Sequence, residues 1–251
     1  MTQEHTAHDQ SAGVPGSGNR GFLSTLADII AAPQTAFATI RARGMALPMI
    51  LLTLALNAGF WIWYFNAVDF AWFVDQTLAV MADNAAPAEL ETVRAFMKPT
   101  FVMLSTVISV VVFMLALYLL QAVYFNIVSN IGNHKIPFGR WFAFVAWINA
   151  PSLLLIPIMA MMMLLSDNGQ IMQDQLNPLS LNNLYFHFDT GAKLKGVMDG
   201  LSPFALWAWA LGIAGYRHWT QSGWMKAAVI ASIPQIILFL VLYLVAPGNA
   251  G

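Results

Sequence analysis

Between Lys98 and Lys135 the sequence carries no Asp, Glu, Lys or Arg, and its apolar part runs from about Phe101 to Ile127. A helix rises ~1.5 Å per residue, so ~20 such residues cross the ~30 Å hydrocarbon layer of a bilayer. Four further runs have the same character. They extend from about Ala46 to Asn66, ending in Trp61, Trp63 and Tyr64; from Trp141 to Ser166; from Gly200 to Tyr216; and from Ala227 to Ala246. The fourth is short, and its Ser202-Pro203 start reads as a helix N-cap followed by proline at the first helical position. The expected fold is an all-α integral membrane protein. It has five spans, about 46–66, 101–127, 141–166, 200–216 and 227–246, forming one membrane domain over residues 46–246.

Composition agrees with a bilayer as solvent: 59% of residues are hydrophobic and 9% charged, against roughly a quarter charged in a soluble domain. A net charge of -1 supplies no basic field for nucleic acid, which is excluded as a partner. With no cysteine, disulfides, thiolate metal sites and cysteine nucleophiles are also excluded. Five spans place the termini on opposite sides. One side then holds Arg20, Arg41, Arg43, Lys135, Arg140, Arg217 and Lys226, while the other holds most of the acids with Arg94, Lys98, Lys193 and Lys195. Basic residues mark the cytoplasmic side. The N-terminus is therefore expected in the cytoplasm and the C-terminus outside, in the cell's inner (plasma) membrane.

Residues 1–20 are polar and Gly/Ser-rich and read as a disordered cytoplasmic tail. Over residues 21–43 the apolar side chains Phe22, Leu23, Leu26, Ile29, Ile30, Phe37 and Ile40 recur at helical spacing, interrupted by Pro33 and closed by Arg41 and Arg43. Such a stripe suits an amphipathic helix lying on the inner membrane surface; the alternative is a helix folded against the protein's own loops. The loop from Val68 to Lys98 is expected to be helical around Pro87 to Met97, and the loop from Asn168 to Asp199 irregular.

No H-E-x-x-H, G-x-S-x-G, Walker or Rossmann pattern occurs. Asp189-Thr190-Gly191 copies an aspartic-protease triplet, but that chemistry needs two carboxylates sharing a proton, and one copy is present. Met159, Met161, Met162 and Met163 lack neighbouring His or Cys and read as packing or lipid contact. His134, His187 and His218 are isolated, and the acids outside read as a solvated face. No catalytic, cofactor or metal residues are expected, and the protein is not expected to be an enzyme.

The polar groups inside the spans are amides: Asn57, Gln121, Asn149 and Gln235. Asn149 lies nine residues past Arg140 and Gln235 nine past Lys226. Gln121 and Asn57 fall at a similar distance from their own cytoplasmic ends, so all four share one layer ~14 Å deep. In hydrocarbon such groups should face one another, water or carbonyls freed by proline. Pro151, Pro157 and Pro234 are expected to kink their helices and free the carbonyls of Trp147, Leu153 and Ile230. The layer is either a structural hydrogen-bonded one or a polar solute site.

A-A-P-Q-T-A-F-A-T-I-R-A-R followed by L-P-M-I-L-L resembles the lead and first span of the bacterial branch of the Yip family, the Ypt/Rab-interacting multi-span proteins. F-G-R-W-F-A-F-V-A-W-I-N-A-P-S-L-L-L-I-P and L-S-P-F-A-L-W-A-W-A-L-G-I-A-G-Y resemble its third and fourth spans. The resemblance covers about residues 24–246 and implies five spans with a cytoplasmic N-terminus. Eukaryotic members are associated with Rab-type GTPases and vesicle traffic. The D-L-Y-G-P segment of many of them is absent here, which argues against a GTPase partner. Two functions are expected. The first is a scaffold that binds the lipid bilayer and other membrane proteins or further copies of itself, with Ser105-xxx-Ser109, Ala146-xxx-Ala150 and Ala208-xxx-Gly212 permitting close helix approach. The second is a small-solute permease or channel using the proline-broken third and fifth spans.

Overall fold

The computed structural model describes residues 21–82 and 85–246, so the tail expected over residues 1–20 lies outside the described residues. Among the described residues the regular elements are all helical. In order they are α1 (Phe22–Ala31), α2 (Pro33–Arg43), α3 (Ala46–Ala67), α4 (Phe70–Ala82), α5 (Pro87–Phe96), α6 (Pro99–Ile131), α7 (Phe138–Ile148), α8 (Leu155–Leu165), α9 (Lys195–Gly200), α10 (Pro203–Thr220) and α11 (Trp224–Val245). Short 3-10 and π turns make up the connection from α8 to α9.

Among the described residues, four helical stretches are long and apolar enough to cross a membrane: α3, α6, the α7–α8 unit from Phe138 to Leu165, and α11. α10, expected as the fourth span, is not among them. Its 18 residues are long enough, but three tryptophans and a last turn carrying Arg217 and His218 make it less apolar than those four. Ser202 does cap it, accepting from the Ala205 N–H at 3.3 Å.

The three prolines sit in different settings. Pro151 has no N–H to continue the α7 ladder, and the backbone tightens into a 3-10 turn over Ala150–Leu154. There the Ser152 N–H donates to the Asn149 carbonyl at 3.0 Å. Pro157 sits in the first turn of α8, where no N–H is needed. α11 continues through Pro234 without interruption.

The tightest packing lies at the basic end of the bundle. Trp141 stands parallel to Phe125 at 5.5 Å, edge-on to Phe144 at 5.4 Å, and 5.0 Å from Trp219, with Tyr216 at 5.9 Å. The N-terminal stripe joins this cluster. Ile29, Ala36, Phe37 and Ile40 are fully buried, and Leu23 and Ile30 stay exposed. Thus most of the stripe expected to face the inner membrane surface is spent on the bundle. The reason is a pair of polar clasps: the Trp219 Nε1–H donates to the Phe37 carbonyl at 3.0 Å, and Arg41 donates to the Trp219 carbonyl at 2.6 Å. Gly215 permits the approach, because a Cβ there would stand 2.4 Å from Phe144 and 2.8 Å from Phe37.

At the acidic end a second cluster joins Phe60, Tyr64 and Phe65 of α3 to Phe73, Val74 and Leu78 of α4, and to Met163, Ile171 and Leu176. The Tyr64 hydroxyl donates to the Ile171 carbonyl at 2.8 Å and fastens the α8–α9 connection to α3. Lys195 fastens its far end, bonding Asp199 at 2.8 Å and Asp174 at 3.1 Å. Although partial burial opposes the charge, these two bonds hold the Lys195 pKa above the ordinary lysine value.

Candidate functional site

A pocket of about 90 Å³ opens between α6, the α7–3-10 junction, α10 and α11. Gln121 comes from α6, Asn149 and Ser152 from the junction, Trp209 from α10, and Pro234 and Gln235 from α11. The space exists because the facing positions are small: Ala205, Ala208 and Gly212 on α10, and Ala231 on α11. Its floor is Phe125, which lines the pocket and also stacks on Trp141. From α6, α7 and α10 the chain continues toward the basic end into the aromatic cluster, through Phe125, Phe144 and Tyr216. The pocket is therefore stacked directly on that cluster.

Three of the four amides meet here; Asn57 does not. The Asn57 amide donates to the Thr53 carbonyl of its own helix at 2.9 Å. Its helix packs on α6, α7 and α8, away from the α10–α11 side that closes the pocket.

The polar groups around the pocket have unequal partners. The Asn149 amide donates to the Val145 carbonyl at 2.9 Å, and the Trp209 Nε1–H donates to the Ser232 hydroxyl at 2.9 Å. The Ile230 carbonyl, deprived of a backbone donor by Pro234, accepts from the Tyr124 hydroxyl at 2.9 Å. Gln121 and Gln235, both half-buried, make no side-chain hydrogen bond to any described residue. Two complete amides are thus left to the pocket interior. At membrane depth an unpaired amide costs several kcal/mol, so something polar must meet them. Among the described residues, no Asp, Glu, Lys, Arg or His lines the pocket, so what meets them gains nothing from carrying charge.

Sequence reading missed Tyr124, Ser152 and Trp209. Tyr124 had a signal: it stands three residues after Gln121, on the same face of α6. Ser152 and Trp209 had none, since their places depend on the 3-10 turn and on how α10 is rotated.

Elsewhere the ionisable groups belong to the two ends. Arg140 donates to the Ala42 carbonyl at 2.8 Å, and Arg217 stands 4.5 Å over the Trp224 ring. Burial, and then the Arg41 and Arg217 charges, hold the His218 pKa below the usual histidine range. A hydrogen bond from Gln170 and one from the Trp72 N–H lower that of half-buried Asp69. Asp189 lies in a turn closed by the Ala192 N–H at 2.9 Å. Among the described residues no three His, Asp or Glu side chains are grouped to hold a metal ion.

No curated protein and no solved structure gives a significant match to the chain. The family model of the Yip1 domain matches residues 27–246, which takes in α2 to α11, both packed clusters and the whole pocket. With the apolar helices described above, that match makes the chain a multi-pass membrane protein belonging to the Yip family.

Proposed function

We propose that the chain is a non-enzymatic membrane scaffold that binds other membrane proteins or further copies of itself. It has five spans with residues 200–216, before Arg217 and His218 of α10, as the fourth, its N-terminus in the cytoplasm and its C-terminus outside the inner membrane. The observation that carries this reading is on α6. Of the three small-xxx-small pairs named above, Ala146 with Ala150 and Ala208 with Gly212 are buried in the bundle, whereas Ser105 and Ser109 are both exposed. Their neighbours Phe101, Leu104, Ile108 and Val112 are exposed too. Without a hydrophobic drive between helices in lipid, small residues on an outward face are what let a second helix approach closely.

The test is a single-cysteine variant, Ser105→Cys, treated in native membranes with a short bifunctional thiol reagent or an amine-to-thiol one. A discrete adduct is expected from Ser105→Cys and not from Val241→Cys on α11. Monomer alone from both refutes the scaffold. A reporter after Gly251 should read outside and one inserted near Gly139 inside; a C-terminus in the cytoplasm refutes the five-span topology.

The permease reading has the polar pocket in its favour. Against it stand the fully buried Trp141, Trp147 and Trp219, which close the basic half of the bundle below Phe125. Solute passage would require those rings to part.

A further inference from the structure

Gln121 and Gln235 face a common pocket from two different candidate spans, and neither is paired within the described protein. The pocket's about 90 Å³ is several times the ~10–15 Å³ that one water needs by this measure. Its lining is uncharged, and each free amide offers two N–H donors and a carbonyl acceptor. A carboxylate, phosphate or ammonium would lose its hydration and find no counter-charge. A hydroxyl or amide group both donates and accepts, and so matches both glutamines at once. The surrounding donors are already committed, Trp209 to Ser232 and Tyr124 to the Ile230 carbonyl. Recognition therefore falls to the two glutamines, with the hydroxyl of Ser152 beside them.

We propose that this pocket is a binding site for a neutral hydroxyl- or amide-bearing group, held between the side-chain amides of Gln121 and Gln235. Such a group has two sources: a small polyol from the aqueous phase, or the uncharged glycerol end of a diacylglycerol lipid. The proposal is independent of the scaffold reading, because it concerns the interior of the bundle and not the outward face of α6.

The chain has no cysteine, so Ser152→Cys places the sole thiol at the pocket. The full-length variant in lipid nanodiscs is labelled with methyl methanethiosulfonate, a small neutral reagent. Glu89→Cys, on exposed α5, corrects for viscosity and bulk effects. Relative to that control, 1 M glycerol or a few mole per cent of dioctanoylglycerol is expected to slow labelling at position 152 at least threefold. Protection by glycerol identifies a soluble source, and protection by dioctanoylglycerol alone a lipid one. With Gln121→Leu and Gln235→Leu added, labelling should persist and protection disappear. In the cysteine-free chain the protecting compound should also raise the thermal midpoint. A thiol that never reacts, protection by neither compound, or protection that survives loss of both glutamines overturns the proposal.

Discussion

Replacing Phe37 by alanine decides what the N-terminal helix pair is for. The ring is 1% exposed and lies 6.1 Å from Phe144 and 6.2 Å from His218, while its backbone carbonyl holds the Trp219 indole. Truncating a fully buried phenylalanine costs ~3–5 kcal/mol, the sum of lost transfer energy and the cavity left behind. The aromatic neighbours belong to a close-packed cluster fixed from α6, α7 and α10, so little collapse into the void is available. If α2 instead merely rested on a membrane surface, the change would fall within the ~0.5 kcal/mol typical of exposed sites. The assay is reversible unfolding from dodecyl maltoside micelles by rising sodium dodecyl sulfate, followed by tryptophan fluorescence. Leu23→Ala, at a position 76% exposed, is the internal control and should change stability by no more than ~0.5 kcal/mol. A loss below ~1 kcal/mol for Phe37→Ala would refute the reading that the stripe is core.

Gly215→Ala should destabilise, because its Cβ would meet two buried rings inside 3.0 Å; overpacking costs ~1–3 kcal/mol against a helix-propensity gain of ~1. Gly59→Ala, with open space at its Cβ, should do the reverse in the same unfolding assay. Tyr124→Phe strands the Ile230 carbonyl and should cost ~1–3 kcal/mol. In a Pro234→Ala background, where a backbone N–H returns to that carbonyl, the loss should shrink, and an unchanged loss in the double-mutant cycle would show that the hydroxyl serves something else. His218 titrates below the usual range because its charged form is disfavoured in the fold. Its stabilising contribution is thus complete above the unfolded pKa of ~6.5 and declines as pH falls below it. His218→Gln should flatten the fall of the thermal midpoint between pH 7.5 and 5.5; an equally steep fall in the variant would place the effect on another group.

Where the chain could be read, the reason was a fixed length. The absence of charge between Lys98 and Lys135 and between Arg140 and Asp167 delimits helices that have no other way to satisfy their backbone in lipid. α4 carried a readable signal as well, Phe70, Phe73, Val74 and Leu78 at helical spacing, beside the α5 that was expected. What such patterns omit is direction. A stripe announces that α2 has an apolar face, but not that the face meets Phe144 and Trp219 and not lipid. Counting residues from a charged end gives depth, since the rise per residue is constant, yet says nothing of rotation about the axis. Hence Gln121, Asn149 and Gln235 share a pocket while Asn57 turns to its own helix. Tyr124 could not be weighed at all without knowing which helix stands opposite Pro234.

The two open glutamines make a last prediction about sign. Around the pocket, Asn149, Trp209, Tyr124 and Ser232 each have a hydrogen-bond partner, and the small residues Ala208, Gly212 and Ala231 bring α10 and α11 close. A bundle built for stability alone would place leucine or methionine at positions 121 and 235, filling the void and leaving no polar group without a fixed partner. If Gln235 is held for binding, Gln235→Leu should raise stability by ~0.5–2 kcal/mol, the usual gain from filling a cavity at a site kept for function. If the amides serve only a hydrogen-bonded layer bridged by water, the same change should cost ~0.6 kcal/mol for each bond lost. The two expectations differ in sign, and unfolding in the same mixed micelles resolves them; a destabilised Gln235→Leu, with Gln121→Leu behaving alike, would mean that the pocket exists to hold the helices together.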